Sequence, residues 1–145
     1  SGTMSAAIEA SIEGVPAIGF SLLDYNWDAE FSHIKKYIKD ITLKTLGEGL
    51  PKGITLNVNF PKLNHDMIKG IKVCKQADTY WIEKFDKRVN PQGKEYYWLT
   101  GEFINKDKSE DSDEFALLNG YISIVPVKHD LTDYESIIKI QSWNL

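Results

Sequence analysis

Residues 17–23, AIGFSLL, and residues 54–60, ITLNVNF, decide the fold. The first is a short, mostly apolar run of the kind that a buried parallel strand needs. The second alternates apolar and polar residues, and prolines bound the two runs, with Pro16 ahead of the first and Pro61 closing the second. What precedes each run is helical in pattern. Met4, Ala7, Ile8, Ser11 and Ile12 fall on one face at helical spacing. Ser1 and Thr3 are natural N-caps for that segment, Gly14 suits the position just past its end, and Pro16 is a firm stop. Asp28 is predicted to cap a second helix running to about Thr45, with Phe31, Ile34, Tyr37, Ile38 and Ile41 as its apolar stripe and Gly47 and Gly49 ending it. Helix, strand, helix, strand is the alternation of an α/β fold with a largely parallel sheet.

The second half changes character. Gly70 to Lys75 reads as a strand, and Tyr80 to Val89 and Lys94 to Ile104 as two arms around Asn90-Pro91-Gln92-Gly93. That tetrapeptide suits a type I turn, with Asn first, Pro fixing φ at the second position and Gly at the fourth. A long hairpin is therefore expected. Seven aromatic residues lie on it: Tyr80, Trp81, Phe85, Tyr96, Tyr97, Trp98 and Phe103. A hairpin alone is marginal in water, so this apolar arm needs a surface to cover it. Packing within the chain is one reading. Docking on another subunit is favoured, because the aromatics are interleaved with Glu83, Lys84, Asp86, Lys87 and Arg88, and aromatics with arginine mark interfaces. Beyond the hairpin come a polar, acidic stretch from Asn105 to Asp113, a short helix from Asp113 to Asn119 ended by Gly120, and a strand from Tyr121 to Val127. Thr132-Asp133-Tyr134-Glu135 has the spacing of a capping box, so a last helix should start there.

Composition bounds the function. The 145 residues, 42% hydrophobic and 26% charged, suffice for one domain with a buried core. No run approaches the ~18–20 apolar residues that cross a bilayer, so no membrane partner is expected. The formal charge of -4 gives no reason to expect nucleic acid as a partner. Lys35, Lys36, Lys39 and Lys44 fall on the polar side of the second helix, where solvation explains them. Cys74 stands alone, so no internal disulfide forms, which fits a reducing, cytoplasmic setting.

Few residues combine into a reactive group. His33, His65 and His129 lack the paired spacing of zinc motifs. Asp107, Ser109, Asp111 and Asp113 have a calcium-loop rhythm, but Ser112 stands where that loop needs glycine and Leu118 where it needs glutamate. Cys74 sits mid-strand and reads as a small packing residue. Asp24 follows the first strand, at the edge where α/β folds gather ligands, and reads as a loop or cap residue. Ser1-Gly2-Thr3 has two readings. It caps a helix, or, with hydroxyls around a glycine at the head of a small-residue helix, it holds an anion against free N–H groups and the positive dipole end. The chain opens with three residues ahead of Met4, and the motifs favour a chain cut from something longer over an added leader.

Four stretches then resemble one family, the SurE survival proteins, which are metal-dependent 5′/3′-nucleotidases. They are SGTMSAAIEASIEGVPAIGFSLL, LPKGITLNVNFP, DKRVNPQGKEYYWLTGE and DSDEFALLNGYISIVPVKHDLT, in the family's order. The resemblance implies the C-terminal part of a Rossmann-type sheet with a protruding hairpin and a C-terminal helix. Residues 1–69 would form the back part of the nucleotidase core. Residues 70–145 would supply a strand, the hairpin (about 79–104), a return strand and an oligomerisation segment. It implies hydrolysis of nucleoside monophosphates with a divalent metal, Mg²⁺ or Mn²⁺, whose ligands lie upstream. In this chain there would be no catalytic residue and no metal ligand. Ser1, Gly2 and Thr3 map onto the phosphate-binding wall. The family also implies a homodimer or homotetramer built through Tyr80 to Phe103 and the tail from Leu131 to Leu145. The alternative is a non-catalytic oligomerisation or binding module using the aromatic hairpin.

Overall fold

The computed structural model describes residues 2–143. Helix α1 (Gly2–Ile12) leads into strand β1 (Ala17–Leu22), helix α2 (Lys35–Glu48) and strand β2 (Ile54–Phe60). A short strand β3 (Ile71–Val73) precedes the hairpin of β4 (Thr79–Val89) and β5 (Glu95–Asn105). Helix α3 (Asp113–Leu118), strand β6 (Ile122–Lys128) and helix α4 (Tyr134–Gln141) complete the chain. The main sheet has the order β1-β2-β6-β3. β1 runs parallel to β2, with Gly19 beside Asn57, and β3 parallel to β6. β6 runs antiparallel to β2, with Asn57 beside Val125, so the sheet is mixed at its centre. Among the described residues the outer edges of β1 and β3 have no sheet partner.

Alternation along the strands gives the sheet two different faces. Ile18, Phe20 and Leu22 of β1, Leu56, Val58 and Phe60 of β2, and Ile122 and Ile124 of β6 share one face. They pack with Ile34, Tyr37, Ile38 and Ile41 from the α2 side into the main core. Phe60 is fully buried there, 6.1 Å from the ring of Phe20, a burial worth about 1.5–3 kcal/mol. The other face carries Gly19, Ser21, Asn57, Asn59 and Ser123, and α1 lies across it. At its far end Cys74, Ala116 and Val125 form a second cluster under α3.

Local chemistry explains the element ends, and several depart from expectation. Gly14 closes α1 at φ +80°, a left-handed conformation that glycine adopts without strain. Thr3 lies inside α1 and is not its cap, and Ser1 is outside the described residues. α2 does not start at Asp28. The Glu30 carboxylate accepts the Ser32 N–H at 2.6 Å and opens a 3₁₀ turn, Ser32–Ile34, which passes into α2 at Lys35 without a side-chain cap. Ser112 caps α3, its hydroxyl accepting the Phe115 N–H at 3.3 Å. In the capping box the cap moves one residue to Asp133, which accepts the N–H groups of Glu135 and Ser136 at 3.1 and 3.2 Å.

The hairpin forms as its turn chemistry predicts. Asn90 Oδ1 accepts the N–H groups of Gln92 and Lys94 at 3.1 and 2.8 Å, and Gly93 turns at φ +80°. Pairing runs unbroken from Thr79–Asn105 to Val89–Glu95, as a two-stranded sheet separate from the main one.

Candidate functional site

Gly19 seats the helix that carries the candidate anion site. A β-carbon at Gly19 would lie 2.5 Å from Met4 Sδ and 3.4 Å from Thr3 Cγ2, so the first turn of α1 rests directly on β1. A glycine inside a strand often marks such an approach of another element. α1 runs back along β1 from the turn at Gly14, so its N-terminus points toward the carboxyl ends of β1 and β2. No acidic residue occupies its first turn. Its positive dipole end therefore faces that edge with no acidic side chain in the first turn beside it. A β-carbon at Gly2 would meet no described atom within 4 Å. Gly2 and Thr3 thus sit at a helix N-terminus with no acidic residue in its first turn, at the carboxyl ends of the strands, while Ser1 lies outside the described residues.

Beyond β1 the chain is pinned by Asp24. Lys62 Nζ, just past β2, reaches Asp24 Oδ1 at 2.9 Å, and the Asn26 N–H donates to the same oxygen at 3.1 Å. The hydrogen bond from Lys62, followed by that from Asn26, holds the Asp24 carboxyl below its ordinary range. Asp24 is the loop residue that its position predicts. Its partner Lys62 was not legible from local pattern, because the two are joined only by strand pairing. The loop it anchors displays Tyr25 and Trp27 wholly in solvent.

The other candidates separate in space. His33 stands in the 3₁₀ turn before α2, His65 stacks on Tyr37 with ring centroids 5.4 Å apart, and His129 packs against Gly53. Among the described residues no three His, Cys, Asp or Glu side chains come together as a metal site. The acidic stretch is tied down. Asp107 accepts both the N–H and the hydroxyl of Ser109, and Lys75 approaches Asp107 at 3.9 Å and Asp111 at 3.1 Å. Asp113 accepts the Ala77 N–H at 2.9 Å, fixing the loop to the root of the hairpin. Cys74 is buried, and burial pushes its thiol pKa up, opposite to what a nucleophile requires. No helix among the described residues is long and apolar enough to cross a membrane.

Both faces of the hairpin carry exposed apolar side chains among charged ones. The register puts Trp81, Phe85, Val89, Tyr97, Leu99 and Phe103 on one of them, all exposed, with Trp81 and Phe103 in ring contact at 5.7 Å. The opposite face mixes Tyr80, Ile82, Tyr96 and Trp98 with charged side chains. Arg88 bridges Asp86 at 2.8 Å and lies 5.6 Å from the centre of the Trp98 ring, and Lys106 lies 4.6 Å from that of Tyr80.

An α/β sheet with a small-residue helix opening at its carboxyl edge, followed by a long projecting hairpin, is shared with known proteins. The family model for survival protein SurE matches residues 1–83. The 5′-nucleotidase SurE of Flavobacterium psychrophilum is 62% identical over 145 residues, covering all of this chain and 56% of that protein. The protein of the same name from Christiangramia forsetii is 61% identical with the same coverage. The crystal structure of the SurE protein from Aquifex aeolicus superposes with a TM-score of 0.75 at 40% identity, covering 97% of this chain and 56% of that one. The chain belongs to the SurE family, and it spans a little over half the length of these relatives.

Proposed function

We propose that the full-length protein is a 5′/3′-nucleotidase that hydrolyses nucleoside monophosphates to nucleoside and phosphate, and that this chain supplies the wall that holds the phosphate. The observation that carries the reading is the seat of α1 on Gly19, which aims a helix N-terminus with no acidic residue in its first turn at the carboxyl edge of the sheet. Relatives that align with every residue of the chain are named 5′-nucleotidases. In this reading the backbone N–H groups at Gly2 and Thr3, with the hydroxyls of Ser1 and Thr3, bind phosphoryl oxygens. They act by position and charge, orienting the phosphate and stabilising the negative charge that grows on it during hydrolysis.

The divalent metal, Mg²⁺ or Mn²⁺, would supply Lewis acidity and activate water. The described residues do not fit it, since no three ligating side chains converge. We assign its ligands to sequence upstream of this chain, and residues 1–145 alone are proposed to be inactive. Residues 1–69 serve as the back part of the core. Residues 70–145 carry the assembly arm, whose apolar face, together with the exposed Leu131, Ile138 and Trp143 of the tail, builds a homodimer or homotetramer. Asn144 and Leu145 of that tail lie outside the described residues. The lone Cys74 fits a cytoplasmic setting.

Thr3→Val in the full-length gene product tests the phosphate wall. It keeps the shape of the side chain and removes the hydroxyl, so KM for a nucleoside monophosphate should rise about tenfold for one lost charge-assisted hydrogen bond. An unchanged KM and kcat would remove Thr3 from the site.

A further inference from the structure

We infer that the loop after β1 is a stacking platform for the flat base of the substrate, with Trp27 and Tyr25 as its rings. The inference rests on the nucleotidase reading. Trp27 and Tyr25 are 104% and 96% exposed, so neither ring contributes to the folded core described above. Aromatic rings carry the largest apolar surface of any side chain, and two of them displayed on a fixed turn offer flat faces for stacking.

The turn is held at both ends. Asp24 Oδ1 accepts the Asn26 N–H at 3.1 Å and the Lys62 ammonium at 2.9 Å, and the Ala29 N–H returns to the Asn26 carbonyl at 3.2 Å. The two rings therefore flank Asn26 on a turn tied to the ends of β1 and β2 together. That is the edge where open α/β sheets collect ligands, and α1 opens on it. Strands rise about 3.3 Å per residue, so the loop begins about 10 Å beyond the Gly19 seat of Thr3. Phosphate, sugar and base together bridge a span of that order, with the phosphate on α1 and the base on the rings.

Ring stacking tolerates any base, because every base has a π-face. The loop thus favours nucleotides over phosphomonoesters without a base and discriminates weakly among bases. The test compares the full-length gene product with Trp27→Ala, Tyr25→Ala and Trp27→Phe variants on two substrates, a nucleoside monophosphate and ribose 5-phosphate. The alanine variants should lower kcat/KM for the nucleotide about 5- to 100-fold. They should leave ribose 5-phosphate turnover and Tm unchanged, and Trp27→Phe should retain most of the nucleotide activity. Equal loss on both substrates, or a lowered Tm, would make the loop a packing element and overturn the inference. Nucleotide turnover that the alanine variants leave intact would overturn it alone. Ribose 5-phosphate turnover without nucleotide turnover in the unsubstituted enzyme would overturn the nucleotidase reading and the platform with it.

Discussion

Gly19→Val is the sharpest perturbation of the candidate site that replaces none of its residues. The first added carbon would lie 2.5 Å from Met4 Sδ and 3.4 Å from Thr3 Cγ2, where carbon contacts normally settle at about 3.5–4.0 Å. Met4 is long and unbranched and can swing aside, so an alanine would cost little. Ala would also recover the ~0.5–1 kcal/mol that glycine loses inside a strand. Valine adds two further methyls against Thr3 and has no such escape. Overpacking of this kind costs about 1–3 kcal/mol, and we place Gly19→Val at about 2–3 kcal/mol. A loss of that size lowers Tm by about 4–12 °C in a protein of 150–250 residues. Because the strain falls on the first turn of α1, KM for the phosphate substrate should rise together with the loss of stability. Met4→Ala makes room, and in the double variant about 1–2 kcal/mol should return as coupling between contacting residues. Thermal unfolding and steady-state kinetics of the four proteins in this cycle read both effects. A Gly19→Val protein with unchanged Tm and KM, or a cycle with no coupling to Met4, would refute the seating of α1 on β1.

Ser112→Ala removes the cap of α3 and the donor to the Ser109 carbonyl at 2.9 Å, and should cost about 1–2 kcal/mol in thermal unfolding. Asp130 is held down to about 2 from 3.8 by the Thr132 hydroxyl, then the Tyr134 hydroxyl and the Thr132 N–H. Its folded-state pKa is depressed, so its contribution is complete above the ordinary carboxylate range and is lost as pH falls from about 4 toward about 2; Asp130→Asn should flatten that part of a Tm-versus-pH curve. Phe85 and Leu99 face each other across the hairpin. Phe85→Glu with Leu99→Lys keeps a favourable cross-strand pair while breaking the apolar face, and should reduce the assembled mass in light scattering. Lys84→Ala on the other face should leave that mass unchanged.

The parts legible in the sequence are those fixed by local chemistry. β1 and β2 fall where their apolar runs and flanking prolines put them, and the hairpin follows from Asn90 to Gly93. The start of α2 was hidden because Asp28 has the right chemistry, while the Glu30 carboxylate takes the Ser32 N–H and delays the helix. The direction of β6 is not a local property, since the chain first crosses to β3 at the far edge and returns through the hairpin and α3 to place β6 between β2 and β3. The same holds for the site. Ser1, Gly2 and Thr3 stand out by composition and family resemblance, but the contact of Met4 with Gly19 and the pairing of Asp24 with Lys62 exist only once the strands are in register. A glycine within a strand run and an aspartate two residues before an asparagine were the available hints.

Phosphate release from a nucleoside monophosphate, measured with Mn²⁺ and again with a chelator, tests the central claim most directly when the full-length gene product and residues 1–145 are run side by side. The account predicts metal-dependent release by the full-length protein, its loss on chelation, and none by residues 1–145 alone. Metal-dependent turnover by residues 1–145, or none by the full-length protein, would contradict it.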